Sequence, residues 1–316
     1  MCQSEVSEIQ SPSAAEDSSK TIESTKESCC PDVIEICKPD KSLVNSEDTL
    51  HADKSKELKL DATCRPADKF QPVTYRVSDT QVAEVTPKQA PSGQHGLVLK
   101  PKKAGDIKLE ALCSDHVLAT WSISFRNRKI VVIDPGHGDI FDKYLDPGAV
   151  AKNAKGEIIA KEKDLALAVS EHILANLTAR PEIESAFLTR AGDLDDKTRT
   201  QLAWRTDFAK EKGADILVSI HLDAAGATAT GHSVFYYDSE AGKNLATQID
   251  SAYIKIKSRA SAKSKNLYVC REFSGAAALV ELGFITNESD RNSISGEQAQ
   301  IGKEIADGIV AYIKSL

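Results

Sequence analysis

The segment Lys129-Ile130-Val131-Val132-Ile133-Asp134-Pro135-Gly136-His137-Gly138 decides the fold of the larger part of this 316-residue chain. Its apolar run is typical of a buried strand, and a Pro-Gly turn connects that strand to a histidine. A second apolar run, residues 214–220, is followed directly by His221. A strand that ends on a histidine delivers the side chain to the rim of a sheet, where open α/β sheets bind their ligands.

Strand and helix patterns alternate from residue 129 onward. Further strands are predicted at 185–189, 233–237 and 277–280, and apolar residues at 3–4 spacing predict helices at 164–177, 198–211, 243–257 and 297–314. This alternation predicts one α/β domain over residues 129–316, with a mostly parallel sheet between helical layers.

The preceding segment, residues 58–126, consists of short alternating strand patterns separated by Pro and Gly, which predicts a small all-β sandwich. Its motifs are Val73-Thr74-Tyr75-Arg76-Val77-Ser78-Asp79, Val82-Ala83-Glu84-Val85 and Lys103-Ala104-Gly105-Asp106-Ile107. These motifs resemble bacterial immunoglobulin-like domains of the second group. The resemblance implies a spacer or adhesion module, and we assign no chemistry to it.

The chain begins with an acidic segment. Residues 1–60 carry thirteen Asp or Glu against seven Lys or Arg, and they contain no Phe, Trp or Tyr. We expect a disordered tether over residues 1–57, because such a segment buries too little apolar surface to offset its chain entropy. The remainder of a chain with net charge −7 is then nearly neutral, which argues against nucleic acid as a partner.

No stretch has the length and apolar character of a transmembrane span, and no secretory signal is visible. The start, Met1-Cys2 followed by a Ser/Glu-rich stretch, fits a lipoprotein whose signal was replaced by an initiator Met, with a lipid anchor at Cys2. A native start with an incidental cysteine fits equally well. We expect a location in the cell envelope, periplasmic or otherwise extracytoplasmic.

The seven cysteines include no Cys-x-x-Cys pair, which argues against a cysteine zinc site. Four of them lie in the predicted tether, and this number fits an oxidising compartment. Cys64 and Cys113 fall near the two ends of the predicted sandwich, so we hypothesise a disulfide between them.

Two glutamates extend the pair of histidines to a candidate site. Glu162 precedes a predicted helix, where its alternative role is a capping carboxylate, and Glu281 interrupts an apolar strand. A buried carboxylate is costly unless it is paired or used, and its alternative partner is Arg190 or Arg205. Two imidazoles and one carboxylate form the ligand set of an open catalytic zinc site, and a further Glu can serve as its base.

The segments that carry these residues resemble the zinc-dependent N-acetylmuramoyl-L-alanine amidases, or amidase type 3 family. The matching motifs are Val132-Ile133-Asp134-Pro135-Gly136-His137-Gly138, Asp146-Pro147-Gly148-Ala149, Glu162-Lys163-Asp164-Leu165, Leu188-Thr189-Arg190, Ser219-Ile220-His221-Leu222-Asp223-Ala224 and Leu279-Val280-Glu281-Leu282-Gly283-Phe284-Ile285-Thr286-Asn287. The resemblance covers residues 129–316 and rests on these six motifs, which occur in the same order.

The resemblance implies that His137, Glu162 and His221 bind one Zn²⁺ and that Glu281 is the catalytic carboxylate. Its substrate would be peptidoglycan, cleaved at the amide between N-acetylmuramic acid and L-alanine of the stem peptide. We expect a monomer. A zinc peptidase acting on stem-peptide bonds and an inactive wall-binding protein are the alternatives.

Two features depart from the family pattern. Residues 139–145 are longer than the usual connection and should lie beside the metal, where they would reshape the substrate groove. The stretch between His221 and Leu267 has no obvious room for the helical plug of some family members, so we predict an open site that needs no activator.

His172, His232 and Cys270 receive no catalytic role.

Overall fold

The computed structural model describes residues 33–40, 42–65, 73–89, 95–141, 144–194 and 202–316. Cys2 and the predicted tether up to residue 32 lie outside the described residues, as do residues 198–201 of one predicted helix. The chain divides into two compact units. One contains the described residues up to Leu50 together with Lys59–Lys100 and Ile107–Ser122, and the other contains His51–Leu58, Pro101–Asp106 and Ile123–Leu316.

Eight strands precede the α/β domain and form two four-stranded sheets. They are β1 (Val33–Cys37), β2 (Thr49–Asp53), β3 (Leu58–Arg65), β4 (Val73–Val77), β5 (Ala83–Gln89), β6 (His95–Pro101), β7 (Gly105–Cys113) and β8 (His116–Arg126). One sheet has the order β1-β3-β6-β5 and the other β2-β8-β7-β4. Apolar residues alternate with polar ones, as β7 shows: Ile107, Leu109 and Ala111 are buried while Asp106, Lys108 and Glu110 are not.

Two predictions for this region need correction. Strands β1 and β2 lie within the segment predicted to be disordered up to residue 57. The average over 60 residues concealed the short apolar pattern Val33-Ile34-Glu35-Ile36, whose Ile34 and Ile36 are buried. The hypothesised Cys64–Cys113 disulfide is also wrong, because Cys113 is disulfide-bonded but Cys64 is not its partner.

In the described part of the α/β domain there are ten further strands and six helices. The strands are β9 (Lys129–Pro135), β10 (Ile140–Phe141), β11 (Tyr144–Leu145), β12 (Val150–Lys152), β13 (Ile158–Lys161), β14 (Ile183–Leu188), β15 (Ile216–Asp223), β16 (Ser233–Tyr236), β17 (Lys263–Ser264) and β18 (Ala276–Phe284). The helices are α1 (Glu162–Thr178), α2 (Ala203–Glu211), α3 (Glu240–Ala252), α4 (Tyr268–Glu272), α5 (Glu288–Gly296) and α6 (Gln298–Ser315).

The central sheet has six strands in the order β14-β9-β15-β18-β16-β17. It is mixed, whereas the prediction was a mostly parallel sheet without an antiparallel pair singled out: β14, β9, β15 and β18 run parallel, as does the pair of β16 with β17, while β16 runs antiparallel to β18. The connection from β15 to β16, residues 224–232, contains no helix. Such a short connection cannot make the crossover that parallel strands require, so the chain returns in the opposite direction.

The two faces of this sheet have different covers. Val131, Ile133, Val218 and Val280 pack with apolar residues of α1, α3 and α6. Alternate residues, among them Val132, Leu217 and Leu279, pack with the shorter helices α2 and α4. Because side chains alternate along a strand, Asp134, Ser219, His221 and Glu281 point to the α2/α4 face.

Helices α1 and α6 follow the predicted apolar spacing, and Leu165, Val169, Ile173 and Leu177 of α1 are buried. Helices α4 and α5 were not predicted, because each is too short to show a helical period. Asn287 caps α5, because its side chain accepts a hydrogen bond from Asp290 N. None of the helices in the described part of the chain has the length and apolar content needed to cross a membrane.

Candidate metal centre

Three of the four predicted site residues converge at the carboxyl ends of the parallel strands. His137 follows β9, Glu162 is the first residue of α1, and His221 lies near the end of β15. One potential ligand atom from each lies within 4.8 Å of the other two. The fourth residue, Glu281, pairs in register with His221 on the neighbouring strand β18.

His137 is held by Asp146. The backbone of His137 has φ 59°, an uncommon conformation for a residue other than glycine, and its Nδ1 lies 2.7 Å from Asp146 Oδ2. Asp146 Oδ1 in turn accepts a hydrogen bond from Gly148 N. When Nδ1–H donates to Asp146, the lone pair of His137 Nε2 is left to face Glu162 Oε1 at 3.1 Å.

Glu162 is the buried member of the cluster, with 4% of its surface exposed. Its Oε1 accepts a hydrogen bond from Leu222 N at 2.9 Å and lies 3.0 Å from His221 Nδ1, while Oε2 accepts one from Ala149 N. These bonds orient the carboxylate toward both imidazoles. The donor set, two imidazole nitrogens and one carboxylate, fits an open zinc site.

Two glycines let the backbone approach these ligands. At Gly148, with φ +64°, an added Cβ would lie 2.6 Å from Glu162 Oε2 and 2.6 Å from His137 Cδ2. At Gly136, an added Cβ would collide with the imidazole of His221. Both positions therefore require glycine for steric reasons.

The pKa values of His137 and Glu162 reflect strong electrostatic interactions within the cluster. Burial lowers the pKa of His137, but its bonds to Glu162 and Asp146 outweigh this and raise that pKa to about 9. Burial raises the pKa of Glu162, but His137 and His221 outweigh it and hold that pKa far below its usual range. A cluster that stabilises positive charge beside Glu162 suits a cation, which would replace the proton on the imidazole.

Glu281 has a different environment. Burial raises its pKa to about 7, with His221 opposing the shift and Glu162 supporting it. Its Oε2 is buried and makes no hydrogen bond within the described part of the chain. Among the described residues the alternative ion pair does not form: Arg205 pairs with Asp134 at 2.6 Å, and Arg190 donates its hydrogen bonds to backbone carbonyls.

Arg190 and Arg205 fix the backbone that carries His137. Arg190 Nη2 donates to both Gly136 O and Lys163 O at 2.8 Å, so it ties the His137 loop to the first turn of α1. Arg205 Nη2 donates to His137 O at 2.9 Å. The sequence suggested these arginines only as alternative partners of Glu281 and did not indicate their carbonyl partners, because the carbonyls belong to distant segments.

The remaining candidates are structural. His232 is fully buried, with Nδ1 2.5 Å from Ile256 O, Nε2 3.0 Å from Asp250 Oδ1 and its ring stacked on Tyr253. Burial raises the pKa of Cys270 to about 12, which suppresses the thiolate. His172 lies in α1, where its Cβ borders Gly302 of α6.

A cleft of about 990 Å³ opens beside the cluster on the α2/α4 face of the sheet, with His137 and His221 in its lining. Asp139, Tyr144 and Leu145 also line it. The segment 139–145 therefore borders the predicted site as expected, although residues 142 and 143 lie outside the described residues.

Fold and site together define an α/β domain with a candidate metal centre at the carboxyl ends of its parallel strands. The N-acetylmuramoyl-L-alanine amidase family model matches residues 131–311, more than half of the chain. The chain belongs to this family, and its α/β domain is that of a peptidoglycan hydrolase. The predicted family is thereby confirmed.

Individual relatives agree. The uncharacterised protein YqiI of Bacillus subtilis (strain 168) is 34% identical over 192 residues, which is 59% of this chain and 84% of YqiI. The N-acetylmuramoyl-L-alanine amidase LytC of the same organism is 29% identical over 193 residues, covering 58% of this chain and 35% of LytC. The chain thus spans about a third of LytC.

A solved structure gives the same result for the fold. The N-acetylmuramoyl-L-alanine amidase from Clostridium difficile 630 superposes with a TM-score of 0.51 and 32% identity, over 60% of this chain and 98% of that one. The matched share corresponds to the α/β domain and leaves the eight N-terminal strands unmatched.

Proposed function

We propose that this chain hydrolyses the amide between N-acetylmuramic acid and L-alanine of the stem peptide, with one Zn²⁺ held by His137, Glu162 and His221. The observation that carries the proposal is the convergence of these three side chains within 4.8 Å at a cleft. Zinc, when bound, would lower the pKa of water and polarise the amide carbonyl.

The protein side of the reaction rests on Glu281. Its carboxylate accepts a proton from the attacking water and returns one to the leaving amine of L-alanine. A pKa of about 7 suits both steps, because the group can hold or release the proton near neutral pH. Its unpaired Oε2 leaves that atom without a competing hydrogen bond in the described structure.

Asp146, Arg190 and Arg205 prepare the site without touching the substrate amide. Asp146 selects the imidazole tautomer of His137, and the two arginines hold the backbone of its loop. Such support reduces the reorganisation that metal binding and catalysis would otherwise require.

Digestion of purified sacculi tests the reaction. Zinc-loaded protein should produce glycan whose lactyl groups carry free carboxylates, and peptides that begin with a free L-alanine. Mass spectrometry identifies both products. Cleavage within the stem peptide would show the zinc peptidase instead, and no cleavage with added zinc would show an inactive wall-binding protein.

We also propose that the site works without an activator. The segment from His221 to Leu267 contains α3, which packs on α6 and β18 rather than over the cluster. Purified protein alone should therefore be active on muropeptides. Strict dependence on an added partner protein would overturn this part of the proposal.

For the remainder of the chain, we propose an extracytoplasmic location and an immunoglobulin-like spacer formed by the two four-stranded sheets. Such a spacer should matter for intact sacculi and not for soluble muropeptides. The test is to measure the hydrolysis of sacculi and of soluble muropeptides by the full chain and by a chain that begins at Arg128. An equal loss on both substrates would contradict it.

A further inference from the structure

The cleft beside the candidate metal centre has mostly apolar walls. Its apolar lining residues are Tyr144, Leu145, Pro147, Leu202, Ala203, Leu267, Tyr268, Val269 and Leu279. Several are unusually exposed for their type, since Tyr144 is 78%, Leu202 52% and Leu145 41% exposed. Such a surface loses hydration favourably when a ligand with apolar faces covers it.

The charges of this cleft are unsuited to an anion. Arg205 is the only Lys or Arg among its lining residues in the described structure, and it is 2% exposed and paired with Asp134. The other charged lining residues are Asp139 and Asp146. Apart from the metal, a carboxylate entering the cleft would meet two carboxylates and no accessible cation among the described lining residues.

The nearest cation that we consider for substrate binding is Lys265, which lies next to the edge of β18 that faces away from β15. Lys265 is exposed, and its Nζ lies 4.7 Å from the ring centre of Phe235. Phe235 in β16 pairs with Leu279 in β18, so the ammonium lies beside β18 on the side away from β9 and the 139–145 segment. Leu279 and Glu281 lie two residues apart on β18 and point to the same face of the sheet.

The two parts of the substrate that flank the scissile amide also differ in charge. On one side stands the muramic acid unit, which is uncharged in an amide-linked substrate and has apolar ring faces and methyl groups. On the other side the stem peptide carries carboxylates beyond L-alanine. We propose that the sugar lies in the apolar cleft, with Tyr144 as its determinant, and that the peptide extends past Glu281 toward Lys265.

This orientation rests on the proposed amidase function and assigns specificity within it. Tyr144 is the best candidate for the sugar contact because most of its ring is exposed, whereas the ring of Tyr268 already contacts the Arg271 guanidinium, 5.5 Å from its centre.

Three synthetic substrates test the orientation with the zinc-loaded full chain. The first is N-acetylmuramoyl-L-alanyl-D-isoglutamate, the second lacks the sugar and retains the lactyl group, and the third carries D-isoglutamine in place of D-isoglutamate. Tyr144→Ala should lower kcat/KM roughly fivefold for the first substrate and leave the sugar-free one within about twofold. Tyr144→Phe should have wild-type kcat/KM values for both substrates, since it keeps the aromatic ring.

Lys265→Ala should lower kcat/KM roughly threefold for the acid and leave the isoglutamine substrate unchanged, with Lys303→Ala as the control on the opposite face. Equal effects of Tyr144→Ala with and without the sugar, or of Lys265→Ala on acid and amide, would overturn the orientation. The wild-type products report separately on the reaction: if they do not arise by cleavage at L-alanine, the proposed function fails.

Discussion

Glu281 lies directly opposite His221 on two neighbouring parallel strands, and its buried Oε2 has no hydrogen-bond partner among the described residues. Most buried carboxylates are paired, since an unpaired one costs several kcal/mol when ionised. The chain thus keeps a destabilising group beside the candidate ligands, as expected for a residue retained for its reactivity.

The first prediction concerns stability without metal. The pKa of Glu281 rises from 4.5 to about 7 on folding, so the folded state binds the proton more tightly. The free energy of unfolding should fall as the pH rises from 4.5 to 7. Glu281→Gln removes this penalty and should stabilise the metal-free protein at pH 8 by up to about 3 kcal/mol.

Urea unfolding in EDTA measures this difference. The advantage of Glu281→Gln should vanish toward pH 4, where wild-type Glu281 is protonated in both states. Glu288→Gln, at an exposed position in the first turn of α5, serves as the control and should change little at either pH. Equal stability of wild type and Glu281→Gln at pH 8 would refute the assigned environment.

The second prediction concerns Asp146, which contacts His137 Nδ1 at 2.7 Å. Asp146→Asn weakens the orientation of that imidazole and lowers its basicity, so zinc affinity should fall about 10- to 100-fold. Competition with a chromophoric chelator measures the Kd. Asp164→Asn, nearby on α1 but paired with Lys163, should leave it unchanged. If both variants bind zinc equally well, Asp146 has no such role.

The third prediction concerns Arg190, which donates to the carbonyls of Gly136 and Lys163 and shares the carbonyl of Pro135 with Arg205. Arg190→Met should destabilise the protein by roughly 2 kcal/mol or more, at about 1–3 kcal/mol for each carbonyl that is left unsatisfied. Arg180→Met removes a more exposed ion pair with Asp307 and should cost about 1 kcal/mol or less. Chemical unfolding of both variants compares these effects, and similar costs would contradict the assigned role of Arg190.

The sequence predicted the features that depend on neighbouring residues, such as the strands, and those that follow from the shared edge of parallel strands. Apolar runs located the strands that carry His137, His221 and Glu281, and the shared edge of parallel strands brought the first two together. The antiparallel course of β16 was missed because strand direction depends on the connection, which no periodicity encodes. The distant carbonyl partners of Arg190 and Arg205 were missed because they lie 27 to 70 residues away along the chain.

The central claim is that three residues bind the metal and a fourth transfers the proton. Zinc content and turnover measured on the same preparations test it most directly. Glu281→Gln should retain one zinc per chain and lose at least about 100-fold in kcat, whereas Glu162→Gln should lose the zinc as well. A Glu281→Gln protein that turns over at the wild-type rate, or a Glu162→Gln protein that binds zinc with wild-type affinity, would contradict the account.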